Sequence, residues 1–235
     1  MLYLIGLGLN EKGISLEGIE ILKKCNKIYL ENYTVNFPYS LEDLENILNV
    51  KITPLERKDV ESLKLLKQAK TKTIALLIYG NPLFATTHIH YLNDAKELNV
   101  KLKVIHNSSI LDGISESGLQ LYKFGKITSM PFWRNNYEPI SFLDVIENNL
   151  KINAHSLILI DIGLSFKKAI IQLEMALERK ALEIDKIIVC SQIGKDSKFF
   201  YGDLEELKEK DFKMPFCFIV PGELHFLEKE FLKGL

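Results

Sequence analysis

A short apolar run followed by an amphipathic stretch recurs along the 235-residue chain, and no other feature constrains its fold as strongly. Strands covered by helices on both faces read as continuous aliphatic runs, whereas helices show a 3.6-residue apolar period. By that test Leu2–Leu7 is a central strand, followed by strands at Lys27–Glu31, Thr73–Ile78, Val100–Ile105, Ser156–Ile162, Lys186–Cys190 and Phe216–Val220. Helical spacing links Ile19, Leu22 and Cys25 behind a candidate cap at Ser15. Further helices are predicted over Leu41–Leu48, Val60–Ala69, His88–Leu98, Ile110–Ser117, Phe142–Leu150, Ser165–Lys180, Leu204–Glu209 and Leu224–Phe231. The alternation specifies the α/β class.

Charge and cysteine content narrow the function. Thirty Lys+Arg face 31 Asp+Glu for a formal charge of -1, so no global field draws in nucleic acid or an anionic membrane. Cys25, Cys190 and Cys217 are odd in number and widely spaced, which argues against a disulfide framework or a zinc knuckle and for a reducing compartment. Met1–Leu9 lacks the basic leader of a signal peptide, and no apolar run approaches the roughly 20 residues of a membrane helix. The expected location is the cytoplasm. The length suits one large α/β domain or two of roughly 100 residues each. A cap-like cluster at Asn107–Ser109 places the boundary there, giving domains 1–108 and 109–235.

The segment Gly6-Leu7-Gly8-Leu9-Asn10 lies between a strand and a helix, where glycine lets the backbone approach a ligand. A dinucleotide fingerprint requires a third glycine, and Gly13 falls two positions too late for it. Glu31, closing the second strand where a ribose-binding acid would sit, keeps an NAD-dependent Rossmann-type enzyme as an alternative. On the loop alone, a plain strand-to-helix turn explains both glycines.

A second loop shifts the balance. Tyr3-Leu4-Ile5-Gly6-Leu7-Gly8-Leu9 occurs together with Gly80-Asn81-Pro82-Leu83-Phe84-Ala85-Thr86-Thr87-His88, and the pair resembles the tetrapyrrole methylase-like superfamily. Within it, the Ala-Thr-Thr-His extension resembles the diphthine synthase family. The resemblance continues through Glu31–Thr34, His106–Ile110, Gly118–Lys126, Pro139–Ile146 and Ile219–His225, in order along nearly the whole chain.

The resemblance implies a two-domain tetrapyrrole methylase-like fold with the active site in the interdomain cleft, and a homodimer. It implies S-adenosyl-L-methionine as cofactor, held by residues at Leu9, Asn81, Phe84, Ser109, Ile110, Ile160, Ile193 and Phe216. The implied reaction is methylation of the amino group of a 3-amino-3-carboxypropyl-histidine on elongation factor 2, giving diphthine. Asn81 stands where the family's loop carries Asp; it keeps the size and an acceptor oxygen but loses the charge, so a weakened cofactor contact is expected. Phe84 is bulkier than the small aliphatic residue usual there, and the tract between Asp161 and Lys186 is abridged.

Methyl transfer to an amine needs an in-line approach and loss of a proton before each attack. His88 and Glu31 are the candidate acceptors, with Asp161 and Tyr33 behind them; otherwise the proton leaves to solvent. His88 equally suits a packing role at a helix start. His88 and His90 lack a third ligand, so no metal is expected. A catalytically weakened member that only binds ligand or partner is the alternative suggested by Asn81. A porphyrinoid methylase is disfavoured by the longer match, and a ribosomal RNA methylase by the absent positive charge.

Overall fold

The computed structural model describes residues 1–235, which divide into two compact units, Met1–Gly113 and Ile114–Leu235. The first contains β1 (Leu2–Gly6), α1 (Leu16–Leu22), β2 (Lys27–Glu31), α2 (Leu41–Leu48), β3 (Thr53–Leu55), α3 (Arg57–Val60), α4 (Lys64–Ala69), β4 (Ile74–Ile78), α5 (Ile89–Glu97), β5 (Leu102–Ile105) and α6 (Ile110–Gly113). Its five strands form one parallel sheet in the order β3-β2-β4-β1-β5. Side chains of successive strand residues point to opposite faces. Leu2, Leu4, Ile74, Leu76 and Ile78 accordingly pack with Leu65, Leu66 and Tyr91 on one side. Ile5, Leu7, Ala75, Leu77, Ile28 and Leu30 pack with Ile21, Leu22 and Leu44 on the other. Local caps hold the covering helices: Ser15 accepts from the Gly18 N–H, and Ser40 forms a capping box with Asp43.

The second unit begins with 3₁₀ turns at Ile114–Ser117 and Leu121–Lys123. It continues with β6 (Thr128–Met130), α7 (Phe142–Lys151), β7 (Ser156–Ile160), α8 (Phe166–Lys180), β8 (Ile187–Ser191), β9 (Lys198–Gly202), α9 (Leu204–Lys208), β10 (Phe216–Val220) and α10 (Phe226–Leu232). Its sheet runs β6-β7-β10-β8-β9, with β10 antiparallel to both neighbours. Phe166, Phe216, Phe218, Leu143, Ile146 and Leu173 centre its core. No helix is long and apolar enough to cross a membrane.

Three strands escape the apolar-run criterion, and all lie at sheet edges. β3 carries Pro54, which an edge strand tolerates; β6 has three residues; β9 is only half-buried and pairs as a hairpin with β8. The helix expected over Val60–Ala69 is broken in two, because the Ser62 hydroxyl donates to the Asp59 carbonyl and accepts from the Lys64 N–H. The one expected over Ile110–Ser117 tightens into a 3₁₀ turn after Gly113. The strand order also differs from the 3-2-1-4-5-6 arrangement of the dinucleotide-binding fold, which removes the support for a Rossmann-type nicotinamide enzyme.

Candidate functional site

The two central strands of the first sheet, β4 and β1, send their connections opposite ways: β1 leads to β2 on one side and β4 to β5 on the other. In open α/β sheets the crevice at the carboxyl ends of such strands is the usual ligand position. Here three turns converge there, after β1, β4 and β5.

Backbone bonds join the first two. Leu7 donates to the Ile78 carbonyl at 2.8 Å, and Gly8 and Gly80 exchange hydrogen bonds at 3.3 and 2.9 Å. The approach depends on glycine at position 6, where a Cβ would stand 2.6 Å from the Gly80 oxygen and 2.8 Å from the Asn107 Cβ. The β5 turn is tied to both. Asn107 Nδ2 donates to the Gly6 and Gly13 carbonyls, each at 2.9 Å, while its Oδ1 accepts from the Ser108 N–H at 2.8 Å.

Asn81 completes the network. Its Oδ1 accepts from the Leu83 N–H at 3.0 Å, and its Nδ2 donates to the Asn107 carbonyl at 3.1 Å. The Leu9 carbonyl accepts from the Tyr79 hydroxyl at 3.0 Å. Phe84 and Ile110 are half-buried at the same edge, while Leu9 and Ser109 are buried, the Ser109 hydroxyl bonded to Asp112 at 3.2 Å. Five of the expected cofactor residues, Leu9, Asn81, Phe84, Ser109 and Ile110, thus belong to these three turns or directly follow them. Neutral half-buried side chains beside fixed backbone groups suit a ligand that combines an apolar ring with hydroxyl and amide functions.

The other three lie on one edge of the second sheet: Ile160 ends β7, Ile193 follows β8, and Phe216 begins β10. Ile193 and Phe216 are 3% and 8% exposed, and the Phe216 ring packs against Phe166 with centroids 5.5 Å apart. Their side chains are committed to the core, so what these positions offer a ligand is chiefly backbone.

Glu31 and His88 adjoin within the first unit. Glu31 Oε1 lies 3.7 Å from His88 Nε2, and both side chains are 0% exposed. His88 Nε2 meets no hydrogen-bond partner. Burial pushes the Glu31 carboxyl up to about 7, with the neighbouring Thr34 side chain and the Arg57 guanidinium acting weakly the other way. Burial also lowers His88, against the opposing hydrogen bond to the Pro82 carbonyl. Tyr33 stacks under Arg57 at 5.1 Å, and Asp161 accepts from the backbone N–H groups of Phe132 and Ile162.

Two residues that organise the site carried no separate signal in the sequence. Asn107 was visible only within the Asn107–Ser109 cluster and the His106–Ile110 tract, and Tyr79 was not singled out; both work through contacts with residues about 70 or more positions distant.

The family model for tetrapyrrole (corrin/porphyrin) methylases matches residues 1–208. A relative from Schizosaccharomyces pombe, a diphthine methyl ester synthase, is 36% identical over 265 aligned residues, covering 100% of this chain and 94% of the relative. A diphthine synthase from Methanocaldococcus jannaschii is 38% identical, covering 100% and 98%. Among solved structures, a diphthine synthase superposes with a TM-score of 0.90 at 30% identity, covering 99% of this chain and 94% of the other. With a family model spanning most of its length and relatives above 30% identity along all of it, the chain belongs to the tetrapyrrole methylase family, among the diphthine synthases.

Proposed function

We propose that this protein is an S-adenosyl-L-methionine-dependent methyltransferase of diphthamide biosynthesis, acting on the 3-amino-3-carboxypropyl-histidine of elongation factor 2 to give diphthine. One observation carries the assignment within the structure: the hydrogen-bonded convergence of the β1, β4 and β5 turns at the switch point of the first sheet, in a chain that matches diphthine synthases from end to end.

S-adenosylmethionine supplies an electrophilic methyl group on a sulfonium. The chain's part is to bind and orient. Backbone groups around Leu9, Asn81 and Ser109 fix the nucleoside, and Phe84 and Ile110 exclude water beside it. Ile160, Ile193 and Phe216 are the second unit's proposed cofactor residues and act through their backbones. Holding the amine in line with the methyl carbon contributes several kcal/mol without covalent catalysis. The candidate proton acceptors Glu31 and His88 have no exposed surface, which favours release of the amine proton to solvent. A homodimer acting in the cytoplasm completes the proposal.

The relatives' names leave two products open, since one is a methyl ester synthase and the others are diphthine synthases. Treating precursor-bearing elongation factor 2 with labelled S-adenosylmethionine separates them: label stable to mild base sits on the amine, and label released as methanol marks an ester. No label at all, under conditions where S-adenosylhomocysteine binds, defeats the catalytic assignment.

A further inference from the structure

The Glu31–His88 pair sits directly behind the β4 turn, and its hydrogen-bond inventory is incomplete in an informative way. His88 Nδ1 lies 3.1 Å from the Pro82 carbonyl, which can only accept, so Nδ1 carries the ring proton and Nε2 presents a lone pair. That lone pair faces Glu31 Oε1 at 3.7 Å, with both side chains 0% exposed. An ionised carboxylate would set its lone pair against that of Nε2, which has no donor of its own, at a site where burial already disfavours the charge; a proton on the carboxyl removes the conflict.

We propose that Glu31 and His88 carry one proton between them, on the Glu31 carboxyl, and act as a positioning pair: closing the 3.7 Å gap to hydrogen-bond length lets that proton lock the His88 ring so that its Nδ1–H holds the Pro82 carbonyl, and with it the Asn81–Phe84 turn, in the shape that binds cofactor. Neither residue touches the ligand. His88 is the link, because its ring joins the last residue of β2 to the turn after β4. The proposal rests on the assignment of that turn to S-adenosylmethionine binding.

Burial favours a net-neutral pair, against the pull of most of the neighbouring groups. Tyr33 and Thr34 approach from the segment after β2, Arg57 from α3 and Glu61 just beyond it, and His90 and Tyr91 from α5. Tyr91 is committed elsewhere, donating to the Val60 carbonyl, and its ring centroid lies 6.1 Å from that of His88. Burial raises Glu31 to about 7 and lowers His88, two shifts that both favour a carboxylic acid beside a neutral imidazole. Above that range the pair loses its proton, and the turn is held less firmly.

Two measurements test this. In the first, S-adenosylhomocysteine is titrated calorimetrically into the full-length protein between pH 6 and pH 9. Wild type is expected to lose affinity several-fold as pH rises. Glu31→Gln, whose amide can donate to Nε2 at any pH, should bind like wild type at pH 6 with a flat profile, while Glu31→Leu should bind about tenfold more weakly throughout. A Glu31→Gln profile as steep as that of wild type, or a Glu31→Leu variant of unchanged affinity, overturns the proposal.

The second measurement is nitrogen-detected NMR of the histidine rings in ligand-free protein, which does not depend on the cofactor assignment. His88 should show protonated Nδ1 and bare Nε2, and should remain uncharged at pH 6. An Nε2–H tautomer, or titration like a free imidazole, overturns the positioning pair even where the ligand binds. Failure of wild type to bind S-adenosylhomocysteine at pH 6, with the NMR result as expected, overturns the cofactor assignment and the pair's link to affinity with it, and leaves the shared proton standing.

Discussion

The Asn81 side-chain amide donates to the backbone carbonyl of Asn107 at 3.1 Å while its oxygen accepts from Leu83 at 3.0 Å, and this arrangement fixes what residue can stand at position 81. The Leu83 N–H can only donate and the Asn107 carbonyl can only accept, so the orientation of the amide is settled by its partners. An Asp here would direct a carboxylate oxygen at a carbonyl oxygen. Asn81→Asp is therefore expected to weaken S-adenosylhomocysteine by about tenfold at pH 8, and by less at pH 5 where partial protonation restores a donor. Calorimetric titration at both pH values checks this; tighter binding by the variant would show that the lost charge matters more than the Asn107 link.

The Gly6 contact gives a second expectation. A methyl group there would meet the Gly80 oxygen at 2.6 Å and the Asn107 Cβ at 2.8 Å, neither of which can move without opening the three-turn network. Gly6→Ala should cost about 1–3 kcal/mol of stability and abolish measurable ligand binding. Gly234→Ala, whose Cβ would stand at an ordinary 3.4 Å from the Phe231 oxygen, is the matched control and should be near neutral. Thermal unfolding with and without ligand separates the two effects.

A third concerns acid stability of the second unit. Burial alone would raise the Glu228 carboxyl, but bonds from Gln120 N, Lys123 Nζ, His225 N and His155 Nε2 outweigh it and hold the group down at about 2. A depressed carboxyl stabilises the fold at pH above its unfolded value of 4.5, and that contribution disappears as pH falls toward 2. Glu228→Gln should thus lower the unfolding temperature at pH 7, at a cost of roughly 2–4 kcal/mol because Lys123 and the His155 ring lose their partner. The gap to wild type should narrow steadily below pH 4.5. A constant gap would show that the loss is steric.

The thiols give a fourth. Burial pushes Cys25 up to about 11 and raises Cys190 well above the ordinary thiol range, aided by a hydrogen bond with Cys217, the residue opposite it on β10. Thiolate is the reactive form and Cys217 is shielded by its own burial, so native protein at pH 8 should resist iodoacetamide at all three cysteines and react at all three once unfolded. Mass spectrometry counts the adducts.

Much of this architecture was legible in the sequence because buried parallel strands declare themselves: Leu2–Gly6, Lys27–Glu31 and Ile74–Ile78 each contain a continuous apolar run. β3, β6 and β9 were not, since an edge strand's identity comes from the neighbour it pairs with, as Pro54 shows opposite Leu30. The site was legible as motif but not as mechanism. Glycine spacing marked the turns, and the resemblance pointed to Asn81 and His88. That Asn81 serves as a donor, and that His88 reaches both Pro82 and Glu31, depends on through-space partners that no local pattern encodes.

The central claim is methyl transfer to a modified histidine of elongation factor 2. Its most direct test is mass spectrometry of that protein, carrying the 3-amino-3-carboxypropyl-histidine intermediate, after incubation with this chain and S-adenosylmethionine. The intermediate is expected to gain whole methyl groups on that one residue, and the gain is expected to disappear with Gly6→Ala. An unmodified histidine in the presence of protein that binds S-adenosylhomocysteine, or methyl groups appearing elsewhere on the factor, would contradict it.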